Sequence, residues 1–123
     1  MEEGEEQYMK HWRDEDGEEF RNSDACYGRA YNPSGGTIDA AKISIRGRYP
    51  EKGWVYNEEA HEMVVVIRGK GWLETPDRRV ALNVGDVACL ESQERYRLGG
   101  DLDLIVPCGP AFDPSKHHCE EEC

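Results

Sequence analysis

Apolar and polar side chains alternate along short stretches in the central part of the chain. Residues 41–46 place an apolar side chain at every second position, and this period of two predicts a half-buried strand. The β-branched run at residues 63–67 is too short for a buried helix and predicts another strand. Gly69-Lys-Gly71 predicts a tight turn, after which residues 72–75 are expected to return as the partner strand.

The same pattern continues towards the C-terminus. Further short strands are predicted at residues 80–82, 87–90, 95–98 and 102–106. The segments Gly85-Asp86 and Gly99-Gly100-Asp101 are expected to separate them. Short strands at spacings of about ten residues, without a helical period after residue 25, are typical of a sandwich or a barrel. We therefore predict an all-β fold.

Charge and composition divide the chain into three parts. Residues 1–24 contain ten acidic and three basic residues, which predicts an acidic arm or a short helix that docks one or two aromatic side chains. Residues 25–114 are expected to form the barrel. Residues 115–123 are expected to form a C-terminal tail with two open interpretations. The tail is either solvated, or His118, Cys119 and Cys123 come together on a helix and hold zinc.

The net charge of −11 restricts the partners of the protein. A nucleic-acid-binding protein needs a basic surface to displace counterions, and anionic membranes also attract basic segments, so we expect neither partner. No apolar run approaches the length of a transmembrane helix. The first residues are acidic, whereas a signal peptide is basic and then apolar. We therefore expect a cytoplasmic protein whose five cysteines are reduced thiols.

Several motifs occur in an order and spacing that resemble those of one protein family. These motifs are Gly53, Glu62, the run 64–67, Gly69-Lys-Gly71, Leu82-x-x-Gly-Asp86 and the segment 105–112. Over residues 37–112 the chain resembles the cupins. The resemblance implies a double-stranded β-helix, or jelly-roll barrel, preceded here by the short acidic arm. It also implies a homodimer, in which an edge strand would be covered by the second subunit.

Cupins that bind a metal typically carry two His separated by one residue, then a Glu, and later a third His. Alignment on Glu62 places Tyr56, Glu58 and Tyr96 at the His positions, so the resemblance implies a barrel without the usual three-His site. His61 adjoins Glu62, and strand alternation is expected to send it to the opposite face. No cofactor is predicted firmly. A divalent metal held by Glu62, Glu58 or His61 remains open as an alternative.

The aligned residues Tyr56, Glu58, Glu62 and Tyr96 are expected to converge at the mouth of the barrel. Carboxyl groups that lie close together raise each other's pKa, so such a cluster can contain a proton donor beside a base. The leading hypothesis is that the barrel binds a small polar metabolite through this Glu/Tyr cluster. The first alternative is a metal-independent isomerase, epimerase or lyase that uses these residues as acid–base groups. The second is an atypical metal-dependent cupin enzyme.

Four other residues are candidates for ligand binding. Arg46 and Arg68 could bind an anionic group at the barrel rim, although such residues more often pair with surface acids, which are plentiful in this chain. Trp54 and Trp72 could stack on a sugar, or they could pack in the core or in a dimer interface.

Overall fold

The computed structural model describes residues 9–121. Within that range the chain forms nine strands and two short 3-10 helices, at Asp14–Asp16 and Pro114–Lys116. The strands are β1 (Glu18–Ser23), β2 (Cys26–Tyr31), β3 (Asp39–Tyr49), β4 (Trp54–Asn57), β5 (His61–Thr75), β6 (Arg78–Asn83), β7 (Val87–Leu90), β8 (Arg97–Gly109) and β9 (His117–Glu120). The all-β prediction is therefore confirmed. No helix in the described part of the chain is long and apolar enough to cross a membrane.

The strands form one large antiparallel sheet and one small one. The large sheet has the order β1-β2-β3-β8-β5-β6, and β7 pairs with β5 as well. β6 pairs with residues 70–75 of β5, and β7 pairs with residues 62–65. The small sheet pairs β4 with β9 and is connected to the start of β8 by a bridge between Val55 and Tyr96. This connection positions the C-terminal strand against the barrel.

Strand alternation separates an inner face from an outer face. On β3 the side chains of Asp39, Ala41, Ile43 and Ile45 all face the interior, as their period of two requires. The interior is apolar over most of its area. Its most completely buried side chains are Ile45, Val55, Val64, Val66, Leu102 and Leu104.

The turns predicted at Gly69–Gly71 and Gly99–Asp101 are wrong. β5 and β8 run straight through these glycines and pair with each other along most of their length. Gly69 has a φ of 92°, and a Cβ on it would collide with the carbonyl group of Asp101. Gly100 has a φ of 117° and faces Gly71 of β5 in the same way. The glycines therefore allow two long strands to approach closely, and the chain does not reverse there.

Both ends of the described chain are more ordered than the sequence predicted. Residues 18–23 of the expected arm form β1, which pairs with β2, and Trp12 contacts the ring of Tyr31 with its centroid 6.3 Å away. At the other end, His117–Glu120 form β9, so the zinc-binding helix is wrong for these residues, and the expected solvated tail is an ordered strand in which Cys119 and Glu120 are exposed. Cys119 is disulfide-bonded, which contradicts the expectation that all five cysteines are reduced. Residues 1–8, 122 and 123, parts of the predicted arm and tail, lie outside the described range.

Candidate functional site

A cavity of about 510 Å³ lies inside the barrel. Strands β1, β2, β3, β5, β8 and β9 all contribute side chains to its lining. One part of the lining is apolar and consists of Phe20, Ile43, Ile45, Val64, Leu98, Leu104 and Val106. Tyr49, Glu62, Tyr96 and His117 form a second part of the lining, which we name the polar wall, in distinction from the apolar wall. The other polar lining residues are Glu18, Glu19, Asn22, Asn32 and Asp39.

Glu62 lies on the polar wall. Strand β5 directs it inward, and its side chain is only 8% exposed. The hydroxyl group of Tyr96 donates a hydrogen bond to Glu62 Oε1 at 3.3 Å, and the side chain of Asn57 also bonds to the carboxyl group. Burial raises the pKa of Glu62 above its usual value, because the charged form loses its hydration and the two hydrogen bonds offset this only in part.

His117 extends the same polar wall from β9. Its Nδ1 lies 2.8 Å from Asn57 Oδ1, and its Nε2 lies 3.0 Å from the hydroxyl group of Tyr49. The amide oxygen of Asn57 can only accept, so His117 Nδ1 carries the proton and Nε2 accepts the hydrogen bond from Tyr49. Burial lowers the pKa of His117 to about 4, which keeps this imidazole neutral near neutral pH.

Five side chains therefore form one continuous hydrogen-bonded chain, which we name the polar chain: Tyr49, His117, Asn57, Glu62 and Tyr96. Each hydrogen bond in the polar chain has one donor and one acceptor. Asn57 accepts from His117 through its oxygen and donates to Glu62 through its nitrogen. Burial raises the pKa of both tyrosines, so their hydroxyl groups stay protonated and act as donors. The polar chain combines a buried carboxyl group with a neutral imidazole.

A second buried carboxyl group belongs to Asp39 at the start of β3. It lines the cavity, is 7% exposed, and accepts a hydrogen bond from the backbone of Phe112. Burial raises its pKa, and its negative charge raises the pKa of Glu62 further. Two carboxyl groups thus face the same cavity and interact electrostatically.

The predicted cluster of four site residues is only half assembled. Glu62 and Tyr96 lie together in the cavity, whereas Tyr56 and Glu58 lie outside it. In β4 the side chains of Val55 and Asn57 are the buried ones, so alternation turns Tyr56 outward. The guanidinium group of Arg95 covers the Tyr56 ring at 3.7 Å. Glu58 is exposed, and its Oε2 lies 3.1 Å from His118 Nε2.

The four candidate ligand-binding residues also lie outside the cavity. Arg46 and Arg68 both bind the carboxylates of Asp101 and Asp103 on the outer face of the sheet. This is the surface pairing that the sequence left open as their alternative role. The two tryptophans are each covered by a guanidinium group on the outer face: Arg97 lies 4.0 Å from the ring of Trp54, and Arg79 lies 3.9 Å from that of Trp72.

The candidate metal ligands do not share a face of the barrel. Glu62 points into the cavity, while His61 points outward, as alternation predicts, and lies 2.9 Å from Glu91. Glu58 is exposed beside His118. These three residues cannot bind one ion together. Among residues 9–121, no three His, Cys, Asp or Glu side chains are arranged to hold a metal ion. Glu62, His61 and Glu58 therefore do not form a metal site of the kind that metal-binding cupins carry.

Two cysteines also line the cavity. Cys26 and Cys108 are buried free thiols. Burial raises the pKa of Cys26 to about 11 and that of Cys108 to about 12. Both thiols are therefore protonated at neutral pH and act as small apolar side chains rather than as nucleophiles.

Sequence reasoning missed Tyr49, Asn57, His117 and Asp39. Asp39 was detectable, because it is in phase with Ala41 and Ile43 on the predicted strand. His117 had no local signal, since its place on the wall depends on the pairing of β9 with β4, about 60 residues earlier in the chain.

The shape of the barrel matches several solved structures. No protein-family model matches the sequence, and no curated protein matches it. Pac13 from Streptomyces, described as a nucleoside dehydratase, matches with a TM-score of 0.80 and 15% identity over 92% of both chains. Ectoine synthase from P. lautus matches with a TM-score of 0.70 and 15% identity over 92% of this chain and 91% of the other. An RmlC-like cupin from Shewanella frigidimarina matches with a TM-score of 0.68 and 17% identity over 89% and 98%. The chain therefore has the cupin fold.

Proposed function

We propose that the barrel binds a small polar molecule in its cavity, between the polar chain and the apolar wall. The observation that carries this proposal is the connected set of buried donors and acceptors beside an apolar surface. Ligand sites are typically mostly apolar, with a few convergent polar groups, and enclose roughly 300–1,000 Å³. A cavity of about 510 Å³ lies within that range.

The structural matches support the proposal without identifying the ligand. Solved structures of Pac13 variants contain uridine, in proteins with either a tyrosine replaced by phenylalanine or a histidine replaced by glutamine. A protein of similar fold therefore binds a molecule of nucleoside size. Uridine is the first compound to test here, followed by other small polar metabolites.

A pair of matched variants tests whether ligands enter the cavity. Ala41 lines the cavity on β3, and its neighbour Ala40 does not. In Ala41→Phe the new ring occupies cavity volume, whereas in Ala40→Phe it points the other way. Saturation-transfer NMR with a panel of polar metabolites should find compounds that bind the wild type and Ala40→Phe but not Ala41→Phe. Retention of every bound compound by Ala41→Phe would contradict the proposal.

One observation favours catalysis as a second candidate function. Glu62, whose pKa is raised by burial, and neutral His117 belong to the same polar chain. A carboxyl group and an imidazole on one wall are the kinds of acid–base group used in isomerisation, epimerisation or elimination next to a carbonyl group. For any bound compound that turns over, Tyr49→Phe should reduce kcat at least tenfold, since it removes the hydroxyl group that bonds to His117. Tyr56→Phe, on the outer face, is the control and should leave kcat unchanged.

A further inference from the structure

We propose that the ligand of the barrel is an organic cation, a small protonated or quaternary amine with an apolar body; this rests on the proposed function and specifies its ligand class. Two buried carboxyl groups face the cavity, and no cation in the described part of the chain balances them.

The charged residues in the described lining of the cavity are all acidic: Glu18, Glu19, Asp39 and Glu62. Among the described lining residues none is Lys or Arg, and His117 is held neutral. Glu19 is balanced from the outside by Arg29 at 3.1 Å. A phosphate or carboxylate ligand would therefore meet negative charge and no guanidinium or ammonium group inside the barrel.

Two of the four acidic side chains that line the cavity are buried. Asp39 and Glu62 are each more than nine-tenths buried, and no ion pair joins either one to a cation within residues 9–121. Buried carboxylates are ordinarily paired, since an isolated buried charge is costly. Acidic side chains on the outer face do have cationic partners. Asp103, for example, binds both Arg46 and Arg68. The described residues inside the barrel supply no matching positive charge.

A cation that enters the cavity would supply that charge. Its ammonium group would be attracted by both carboxyl groups, and their mutual repulsion, which raises the pKa of Glu62, would be relieved. The rest of the molecule would contact the apolar wall, where Phe20 and Phe112 add aromatic rings that also attract cations. An amine with an apolar body suits both walls, whereas the phosphate of a phosphorylated sugar would meet two carboxyl groups and no cation among the described lining residues.

A set of isosteric probes separates the charge of the ligand from its shape. Benzylamine, benzyl alcohol and benzoate share one ring and differ mainly in charge. They are titrated into the full chain at pH 7, and binding is followed through the methyl groups of Ile43 and Ile45. We expect benzylamine to bind at least tenfold more tightly than benzyl alcohol, and benzoate not to bind.

Variants connect this preference to the buried carboxyl groups. Glu62→Gln and, independently, Asp39→Asn should each reduce the affinity for benzylamine about tenfold and leave that for benzyl alcohol within twofold. Glu58→Gln, an exposed control of the same residue type, should change neither affinity. If benzyl alcohol or benzoate binds as tightly as benzylamine, or more tightly, the proposal of a cationic ligand is wrong, while the proposed binding function is unaffected. Failure of all three probes to shift either methyl group would also overturn the proposal of a cationic ligand, whereas the binding function is tested separately by the metabolite panel and the Ala41→Phe variant.

Discussion

The buried carboxyl group of Glu62 makes a prediction about stability that is independent of any ligand. In the absence of a ligand, its charged form is desolvated and has no cationic partner among the described residues. Glu62→Gln keeps the size of the side chain and removes the charge. The amide oxygen can accept from Asn57, and the amide nitrogen can donate to the Tyr96 hydroxyl, so both hydrogen bonds survive. We therefore expect the variant to be more stable than the wild type at neutral pH.

The sign and size of this effect follow from linkage. The folded-state pKa of Glu62 is raised above the ordinary value of 4.5, so the charged form destabilises the fold at a pH above the raised value. That penalty shrinks as the pH falls and is absent below the unfolded pKa. Burying a polar group whose hydrogen bonds compensate it only in part costs about 1–3 kcal/mol. We expect Glu62→Gln to gain on the order of 1 kcal/mol at pH 8, or roughly 4 °C in Tm, and nothing at pH 4.

Urea denaturation at pH 8, 6 and 4 measures this gain. Glu58→Gln serves as the control, because Glu58 is exposed and its removal should not change stability with the same pH dependence. Two results would refute the reasoning. One is a variant that is less stable than the wild type at pH 8. The other is a gain at pH 4 as large as that at pH 8, which would show that charge is not its cause.

Three further predictions concern the close approach of β5 and β8 and the polar chain. Gly69→Ala should cost more than about 3 kcal/mol of unfolding free energy in urea denaturation, because its Cβ meets the Asp101 carbonyl, whereas Gly85→Ala, with a similar φ of 94° and open space around it, should cost about 1–2 kcal/mol. The ring of His117 should remain neutral in NMR titrations until about pH 4, and since its unfolded pKa is 6.5, stability should fall by on the order of 3 kcal/mol as the pH drops between these values; half-titration near 6.5 would place the ring in solvent. Tyr49→Phe should lose about 1 kcal/mol in the same urea assay, since it removes the donor to His117, and an unchanged midpoint would mean that this hydrogen bond is not formed.

Within one continuous strand, the alternation of apolar and polar residues was enough to predict which side chains face inward. The period of two at residues 41–46 correctly placed Ile43 and Ile45 on the inner face of β3. The same rule correctly placed Glu62 inside and His61 outside on β5. Counting back from Glu62 to Tyr56 failed, because a loop separates β4 from β5 and a loop does not preserve the alternation of strands.

Features that depend on distant parts of the chain could not be predicted locally. A glycine pair permits a tight turn and equally permits close approach of another strand. For Gly69 the choice depends on Asp101, which lies about 30 residues further along. The polar wall likewise depends on β9 pairing with β4. The domain boundaries, a homodimer and a cytoplasmic location remain predictions from the sequence.

The central claim is that a small molecule binds inside the barrel, and the five isoleucines of the chain provide a direct test. Ile43 and Ile45 line the cavity, whereas Ile38, Ile67 and Ile105 do not. Methyl-labelled isoleucine in the full chain therefore gives two probes inside and three outside. When a compound from the metabolite or amine panels binds, the account predicts chemical-shift changes at Ile43 and Ile45 and little change at the other three. Changes confined to Ile38, Ile67 or Ile105 would place the ligand outside the barrel and contradict the account.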